Sequence, residues 1–539
     1  MIGPPAGSHF KERPAKGEEE MMVQLSRRTV LLAGAAWTVT GFGPSNVRAQ
    51  GGARPSLPIP AELRADAGGT IRLDARTGSM RFVGDRETAT YGINGAYLGP
   101  AVRVRRGEKV VAQVSNNVPE TITMHWHGLI IPGAADGGPH QVIPPGKQWQ
   151  TELAVDQPAA TLWFHPHSYP ATAGEVIRGL AGLLIIDDEE SSRLPLPSRW
   201  GVDDIPLIIQ DRRFTPDGQF FDRMNNIAVT NGYVGDTALV NGARYPQART
   251  ARGWIRLRIL NGSNARSYTL TASDGRSLYV IGSDGGLLAS PVELKQLLIH
   301  VGERFELLVD GRNGDAFDIV TLPVAQDIMR LPPFDGPLPL VTIRPDGVDG
   351  TGQLPASLVV LPALPQQLPP TSQELVMNMF RDQQGMVPLK TAGLMAMVKS
   401  GKTDPAVVER VVNLIVNDPV LSQADQLSAS GVNGKPFSIE RIDFAAARNQ
   451  DLRWRISEGN DLMLHPVHIH GCQFRIISRD GKPPEAERAG WKDVTPISAG
   501  GVSEILVRFP HPANRDAPYM AHCHILEHED SGMMTQFTV

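Results

Sequence analysis

Cysteine is scarce in this sequence, which has only two among 539 residues. The two could form a disulfide, but Cys523 stands between two histidines, and Cys472 directly follows His470-Gly471. Because thiolates and imidazoles are metal ligands, we interpret Cys523 as a metal thiolate. We interpret Cys472 as a free, buried thiol.

The sequence also lacks a strong excess of charge and, beyond its N-terminal region, a long apolar run. A net charge of -5 carries no signature of polyanion binding, which argues against a nucleic-acid partner. No segment after the N-terminal region is apolar enough to cross a bilayer as a helix. We therefore expect no membrane span in the mature protein.

The N-terminal region predicts export. Ser26-Arg27-Arg28-Thr29 places a twin arginine ahead of a modest apolar run, and the small-residue site Val47-Arg48-Ala49 follows. These are the features of a twin-arginine signal, and the apolar run is too short to span a membrane. We assign residues 1–50 to this signal region, with cleavage near Ala49, and expect an exported, periplasmic protein.

Glycine and proline, in contrast, are abundant, with 54 and 44 residues, which favours a turn-rich β protein. Three similar stretches of alternating polar and apolar residues begin at Arg106, Arg252 and Asp451. Each is followed by another alternating stretch, so the sequence predicts three related β domains in tandem. Many short strands separated by turns favour sandwiches over βαβ units.

Changes in composition set the boundaries of these domains. We predict domains at 55–190, 200–347 and 426–539. A proline-rich linker at 361–370 follows the second domain. Residues 371–425 then lose the strand-like alternation and contain two helix-like segments, 389–399 and 405–416. They predict a short helical, methionine-containing insertion before or in the third domain.

Ten of the 14 histidines stand in four short clusters. The clusters are His125-Trp126-His127, His165-Pro166-His167, His465-Pro466-Val467-His468-Ile469-His470 and His522-Cys523-His524-Ile525-Leu526-Glu527-His528. A spacing of two residues puts both imidazoles on one face of a strand, where they can bind one metal or two adjacent ones. We expect domain one to fold back onto domain three so that the clusters meet, and we expect no metal in domain two.

The last cluster combines a thiolate, imidazoles and, at Met533, a thioether, a set that suits copper. In an extended chain the side chain of Cys523 points away from those of His522 and His524. The cysteine can therefore serve one metal centre while its neighbours serve a second. Zinc does not fit, because ten histidines and one cysteine exceed one or two tetrahedral sites and zinc needs no thioether.

The motifs HWHG, HPH, HPVHIHG and HCHILEHEDSGMM, in this order, resemble those of the multicopper oxidase family. That family includes laccases, ascorbate oxidase, bilirubin oxidase and bacterial cuprous oxidases. The resemblance runs from about residue 85 to the C-terminus and includes Asp136-Gly137-Gly138-Pro139 and Ala489-Gly490-Trp491-Lys492-Asp493. It implies an all-β fold of three tandem cupredoxin-like Greek-key β-sandwich domains.

The resemblance also implies four copper ions as cofactors. By motif position it assigns His465, Cys523, His528 and axial Met533 to type 1 copper, His125 and His468 to type 2 copper, and His127, His165, His167, His470, His522 and His524 to the type 3 pair. The implied reaction takes single electrons from a donor at type 1 copper and passes them through Cys523. Dioxygen is then reduced to water, and Asp136 and Glu529 are implied as proton donors. We expect a monomer.

The electron donor is suggested by a narrower resemblance, to periplasmic cuprous oxidases of the CueO type. Met377, Asp382, Asp461 and Met463 match the spacing of the Cu(I) substrate site of that group. Thioethers prefer Cu(I), which favours a role in copper tolerance. The insertion lacks a long Met/His-rich run, however, and Met395 and Met397 are better explained by helix packing.

Three alternatives remain in view. The first is a laccase that oxidises phenols or aromatic amines. The second is a non-enzymatic exported relative with a structural or division-associated role; such relatives lose copper ligands, whereas the set here is complete. The third, a copper nitrite reductase, is disfavoured because its catalytic copper does not need paired His-X-His motifs in both terminal domains. A small electron-transfer cupredoxin is excluded by the length of the chain.

Overall fold

The computed structural model describes residues 54–324, 328–380, 404–459, 461 and 463–539. The predicted signal region lies outside these residues. So do Asp382 and the helix-like segment 389–399. None of the helices in the described ranges is long and apolar enough to cross a membrane.

The described residues from Glu62 to Asp187 form a two-sheet sandwich. Its strands are β1 (Glu62–Leu63), β2 (Thr70–Met80), β3 (Thr88–Ile93), β4 (Ala101–Arg105), β5 (Lys109–Asn117), β6 (Gln148–Ala154), β7 (Ala160–Phe164) and β8 (Gly182–Asp187). The sheets have the orders β1-β4-β8-β7 and β3-β2-β5-β6. The alternation of residues along β5 explains why the two sheets pack face to face. Val110, Ala112 and Val114 pack in the shared core, and they alternate with more exposed residues.

A second sandwich follows. Its strands are β9 (Asp204–Arg212), β10 (Thr237–Val240), β11 (Gln247–Arg249), β12 (Trp254–Asn261), β13 (Tyr268–Ala272), β14 (Leu278–Ser283), β15 (Gly286–Leu294), β16 (Leu297–Ile299), β17 (Arg304–Asp310), β18 (Phe317–Leu322) and β19 (Leu338–Arg344). The sheet orders are β10-β9-β12-β17-β14-β15 and β11-β19-β18-β13-β16. Strands β9 and β12 are buried on both faces, because Ile208 and Leu260 also pack against Trp163 of the first sandwich.

The third sandwich carries the C-terminus. Its strands are β20 (Thr371–Met379), β21 (Ser430–Val432), β22 (Phe444–Ala445), β23 (Leu452–Glu458), β24 (His465–Ile469), β25 (Phe474–Arg479), β26 (Val494–Ile497), β27 (Val502–Val507), β28 (Tyr519–Cys523) and β29 (Met534–Thr538). The sheet orders are β21-β20-β23-β27-β25 and β22-β29-β28-β24-β26. Three two-sheet sandwiches in tandem therefore confirm the predicted all-β, cupredoxin-like fold.

Helices are few and short in the described ranges. They are α1 (Gly133–Asp136), α2 (Thr172–Arg178), α3 (Glu189–Ser192), α4 (Asn226–Asn231), α5 (Pro405–Asn417), α6 (Gln423–Leu427) and α7 (Leu526–Asp530), with 3₁₀ turns at Ile328–Arg330 and Ala486–Arg488. Helix α5 begins where Asp404 accepts a hydrogen bond from the N–H of Ala406, with proline at the first position.

The predicted helical insertion at 371–425 is wrong in its first part. Residues Thr371–Met379 form strand β20, which pairs in parallel with β23 at the centre of a sheet of the third sandwich. Leu375, Met377 and Met379 face the core while Val376 and Asn378 are less buried, so the period is two. Methionine, glutamine and glutamate are good helix formers, and here burial against the sandwich outweighs that preference.

A buried cluster of ion pairs in the second sandwich contacts the first sandwich through Thr161 of β7. Arg258 contacts Asp204 at 2.7 Å and Glu306 at 3.0 Å, and all three side chains are almost fully buried. Thr161 of β7 donates a hydrogen bond to Glu306 at 2.6 Å. Such contacts fix β7, and with it the HPH motif that follows, against the second sandwich.

Candidate metal centre

The first candidate centre lies entirely within the third sandwich and combines two imidazoles with a thiolate. The Sγ atom of Cys523 lies 3.5 Å from Nδ1 of His465 and 3.6 Å from Nδ1 of His528. His465 begins β24, Cys523 ends β28, and His528 projects back from the short helix α7. All three residues are buried.

Met533 lies beside this centre, between α7 and strand β29. Its N–H donates to the carbonyl of His528 at 2.8 Å, and its carbonyl accepts from the N–H of Cys523 at 3.1 Å. The loop therefore returns the chain to the cysteine within ten residues. Met533 is fully buried and belongs to the same core cluster as Cys523.

Asp461 holds His465 from the far side of the ring. Its Oδ2 atom lies 2.9 Å from Nε2 of His465, so Nδ1 is left to face Cys523. Burial lowers the pKa of His465, but Cys523 and Asp461 together outweigh burial and raise the pKa to about 10. A metal that binds Nδ1 in this protein must therefore displace a proton.

The second candidate centre brings together eight histidines, four from the first sandwich and four from the third. His125 and His468 form a pair, with 3.4 Å between their Nε2 atoms. The other six form two triads, each built around one ring nitrogen. In the first triad, the Nε2 atoms of His165 and His524 lie 3.4 Å and 3.2 Å from Nδ1 of His127. In the second, the Nε2 atoms of His167 and His470 lie 3.3 Å and 3.2 Å from Nε2 of His522.

The distances between these ligand atoms are those expected around bound metal ions. Nitrogens that bind one first-row ion at about 2.0–2.1 Å stand roughly 3.3–3.6 Å apart in a tetrahedral or trigonal arrangement. A thiolate at about 2.3 Å stands roughly 3.5–3.8 Å from such a nitrogen. The observed 3.2–3.4 Å and 3.5–3.6 Å match both values closely. Buried, clustered imidazoles with one thiolate and one thioether are the donors that copper prefers.

The segment His522-Cys523-His524, at the end of β28, connects the two centres covalently. His522 and His524 face the eight-histidine centre, whereas Cys523 between them faces His465 and His528. The alternation of side chains along an extended chain produces this division. The structure therefore brings together all twelve residues to which the family resemblance assigns copper.

Burial also keeps most of these imidazoles in the neutral form that binds metals. Burial and neighbouring imidazoles hold the pKa of His127, His165, His167, His468 and His524 well below the usual value. For His470, burial likewise dominates and lowers the pKa to about 3. A neutral imidazole offers a lone pair, so these rings need lose no proton before they coordinate.

Two carboxylates orient the histidines of the second centre. The Oδ2 atom of Asp136 lies 2.7 Å from Nδ1 of His470, and its backbone carbonyl accepts from Nδ1 of His125 at 3.0 Å. Glu529 lies between Nδ1 of His167 at 3.3 Å and Nδ1 of His522 at 3.2 Å. Both predicted proton donors thus contact the outer nitrogens of the rings and lie behind the metal-facing atoms.

A third carboxylate, Asp493, was not among the predicted site residues. Its Oδ1 atom lies 3.0 Å from Nε2 of His127, and its carbonyl accepts from Nδ1 of His468 at 2.9 Å. Arg304 of the second sandwich donates to both carboxylate oxygens at 2.6 Å. Domain two therefore supports the histidines of the other two domains through one buried ion pair. The Ala489–Asp493 motif was the signal that could have identified this residue.

Gly128 shows how closely this ion pair approaches the HWHG motif. It has a φ of 87°, and a Cβ atom there would lie 2.5 Å from Oδ2 of Asp493 and 2.8 Å from the guanidinium of Arg304. Its carbonyl accepts from the amide of Gln473 at 2.9 Å. The final glycine of the motif is therefore needed for both conformation and space.

The predicted Cu(I) residues are only partly brought together. The carbonyl of Met377 accepts from the N–H of Gly459 at 2.8 Å, two residues before Asp461. The N–H of Met463 donates to Asp461 at 2.9 Å. Met377 itself is fully buried in the core that holds Cys523, whereas Met463 is half-buried. Asp382 lies outside the described residues.

Both cysteines are free and buried. Cys472 lies in the core of the third sandwich, where burial raises the pKa of its thiol well above the usual value. His300 hydrogen-bonds Ser267 at 2.9 Å and belongs to none of the candidate metal groups among the described residues.

The chain matches sequence models of multicopper oxidase domains at residues 74–191, 220–337 and 413–539. Cell division protein FtsP of Proteus mirabilis is 34% identical over 523 residues, 96% of this chain and 99% of that protein. FtsP of Escherichia coli is 34% identical over 524 residues, with the same coverage. This chain belongs to the multicopper oxidase family.

Solved structures agree with this assignment. The laccase-like multi-copper oxidase CueO from Ochrobactrum sp. superposes with a TM-score of 0.74 at 36% identity, covering 90% of this chain and all of that one. A multi-copper oxidase from Pediococcus acidilactici gives a TM-score of 0.74 at 32% identity, covering 90% and 92%. The FtsP relatives are named as cell division proteins, whereas these solved structures are named as oxidases.

Proposed function

We propose that this protein is an oxidase that couples one-electron oxidation of a donor to the reduction of dioxygen to water. The observation that carries the proposal is Cys523, which faces one candidate centre while His522 and His524 face the other. His465, Cys523, His528 and Met533 would hold type 1 copper. The eight histidines of the second centre would hold the type 2 ion and the type 3 pair, four copper ions in all.

Bound copper supplies the redox chemistry, and the chain supplies connection and protons. The covalent path from Cys523 to its neighbouring histidines joins the centres without a solvent gap. Reduction of one O₂ takes four electrons and four protons and yields two waters. Asp136 and Glu529 contact the outer nitrogens of His470, His167 and His522, where each can hold or pass a proton.

For the electron donor we propose Cu(I), bound by Met377, Asp382, Asp461 and Met463. Asp461 supports this choice because it contacts His465 directly, so an ion at Asp461 would be one hydrogen bond from a type 1 ligand. Methionine sulfur favours the cuprous ion, and carboxylate oxygen favours the cupric product. The CueO-type likeness then suggests an exported protein that serves copper tolerance.

Phenol oxidation is the second candidate, supported by the Ochrobactrum relative, which is described as an oxidase with activity towards lignin model compounds. A division-associated role is the third, supported by the name of the FtsP relatives. The complete set of twelve ligands favours an oxidase over a protein that keeps only the fold.

The test compares copper-loaded wild type with M463A and M377A, and uses M379A as the control from the same face of β20. We expect wild type to consume O₂ with Cu(I), M463A and M377A to lose at least about tenfold in that rate, and M379A to lose little. Phenol oxidation should be spared in all variants. Equal Cu(I) rates in wild type and M463A would contradict the donor site. A copper-loaded protein with no blue thiolate–Cu(II) absorption would contradict the oxidase itself.

A further inference from the structure

A cavity of about 630 Å³ lies where the three sandwiches and the proline-rich linker meet. The first sandwich contributes Pro158, the second contributes Leu287, and the third contributes Gln473, Arg475 and Trp491, while residues 359–365, at the start of the linker, form one wall. None of the residues to which copper is assigned lines this cavity. Its volume is that of a binding site for a small organic molecule.

Strand β25 and the segment before β26 bring three of these side chains together. Gln473 directly precedes β25 and Arg475 lies two residues later, so both side chains are on one face of the extended chain. The N–H of Phe474 donates to the carbonyl of Lys492 at 2.7 Å, and the N–H of Lys492 donates back at 2.9 Å. This pairing sets Trp491 beside Arg475, whose guanidinium carbon lies 5.7 Å from the centre of the Trp491 ring.

The floor of the cavity is closely packed at Gly285 of the second sandwich. The N–H of Gly285 donates to the carbonyl of Trp491 at 2.9 Å, and a Cβ atom at this position would clash with Oε1 of Gln473 and with Cβ of Trp491. Gln473 is 7% exposed, and its Oε1 atom accepts no hydrogen bond from the described part of the chain. The floor is therefore fixed in shape and keeps one polar atom without a partner.

Most of the charged groups around the cavity are satisfied within the protein. Arg106 contacts Asp156 at 3.1 Å, and Arg508 contacts Asp451 at 2.8 Å. Asp188 accepts hydrogen bonds from two backbone N–H groups, at 2.9 Å and 2.7 Å. These groups need no ligand to balance their charge.

Glu190 and Arg475 also line the cavity, and neither forms an ion pair with a described residue. Glu190 is exposed, so water solvates its carboxylate. Arg475 is partly buried, and the carbonyl of Pro362, which accepts from Nη1 at 3.2 Å, is its one hydrogen-bond partner among the described residues. Burial lowers the pKa of Arg475, and no carboxylate opposes this effect. A guanidinium with unused N–H groups beside a cavity is a binding group for an anion.

The other lining residues indicate which class of anion fits. A single guanidinium matches a single carboxylate, because its planar N–H groups can donate to both carboxylate oxygens. Much of the remaining lining is apolar, including Leu287, Leu361 and the Trp491 ring, against which a flat ring can pack. An inorganic anion would use the guanidinium but would leave this apolar surface uncovered.

We propose that this cavity binds a small aromatic carboxylate, with the carboxylate on Arg475 and the ring against Trp491. The site is separate from both metal centres and from the proposed Cu(I) site. Binding there requires neither copper nor turnover, so the inference is independent of the proposed oxidase function.

The test measures binding of 2-naphthoate to the purified protein by isothermal titration calorimetry. We expect one site per chain with a Kd below about 1 mM. The neutral amide 2-naphthamide has nearly the same shape and should bind at least about tenfold more weakly, because it lacks the charge that Arg475 pairs with. Absence of 2-naphthoate binding at about 1 mM would overturn the inference, as would equal affinity for the amide.

Two arginines of the cavity provide a variant and its matched control. R475M removes the unpaired guanidinium and should weaken 2-naphthoate binding at least about tenfold. R508M removes a guanidinium that also lines the cavity but is paired with Asp451, and it should change the affinity less than about twofold. R475K keeps the charge without the planar fork and should recover part of the loss. Equal affinity in wild type and R475M would refute the site.

Inorganic phosphate and urea titrations separate this site from two simpler explanations. Phosphate at the same concentration should not displace 2-naphthoate, and displacement would show a general anion site instead. The urea midpoint of R475M should not fall below that of wild type, because the change removes a partly buried charge that has no ion-pair partner among the described residues. A lower midpoint with unchanged 2-naphthoate affinity would show that Arg475 serves only the fold.

Discussion

The two candidate centres differ in where their ligands come from. His465, Cys523, His528 and Met533 all belong to the third sandwich, and three of them lie within eleven residues of one another. The eight-histidine centre takes half its ligands from the first sandwich and is supported by Arg304 of the second. The first centre is therefore a local property of one domain, whereas the second exists only when three domains are docked.

The largest expected effect concerns Cys523, a ligand of the first centre that is covalently bonded to two ligands of the second. C523S should abolish the blue absorption and lower O₂ consumption by at least about a thousandfold, since the serine oxygen is a poor ligand for type 1 copper. We expect bound copper to fall from four ions to three, measured by atomic absorption, with the eight-histidine centre still filled.

C472S is the matched control, because Cys472 is equally buried in the same core but contacts no ligand of the first centre. It should keep the blue band and all four ions. Retention of the blue band in C523S would refute the ligand assignment.

A smaller effect is expected from R304M, a change that should disrupt only the second centre. Arg304 and Asp493 are fully buried, so R304M leaves a buried carboxylate without its charge partner. We expect a loss of about 3–5 kcal/mol in the free energy of unfolding, measured by denaturant titration. Copper should be lost from the eight-histidine centre while the blue band persists.

R312M serves as the comparison for this change, because the Arg312–Asp310 pair is exposed. It should alter stability by less than about 1 kcal/mol. Loss of the blue band in R304M, at equal folded content, would show that the first centre is not local to one domain.

The smallest effect concerns the pH dependence of the first centre in copper-free protein. Cys523 and Asp461 together outweigh burial and raise the pKa of His465 to about 10. The part of this stabilisation that comes from Asp461 is therefore fully present below about 6.5 and is lost as pH rises through 10. Burial raises the pKa of Asp461, but His465 outweighs it and lowers the pKa to about 2, so the contribution is also lost as pH falls through 2.

The difference in unfolding free energy between wild type and D461N should therefore be greatest between about pH 4 and 6.5, at about 1.5–3 kcal/mol. It should decrease towards pH 10, as measured by urea titration across the range. A difference independent of pH would show that Asp461 acts on His465 by shape alone.

The histidines could be identified from the sequence because their signal is local. A spacing of two residues on a strand determines which imidazoles share a face, and the single cysteine between two of them divides the centres. Arg304 carries no such local signal, and Asp493 is marked only by the Ala489–Asp493 motif. The two residues lie 189 residues apart and meet only when the domains dock. Strand β20 was mistaken for part of a helical insertion because its partner, β23, begins some eighty residues later.

The contact between Asp530 and helix α2 has a consequence for biosynthesis. The N–H groups of Thr172 and Ala173, in the first turn of this helix, donate to the carboxylate of Asp530 at 3.0 Å and 2.8 Å. The first turn is thus completed by a carboxylate 358 residues further along the chain. That carboxylate is synthesised only after the first two sandwiches. The nascent first domain must therefore wait with an unfinished helix and with four histidines whose partners in the third sandwich do not yet exist. We expect metal to be loaded at the second centre only after the third sandwich has been made.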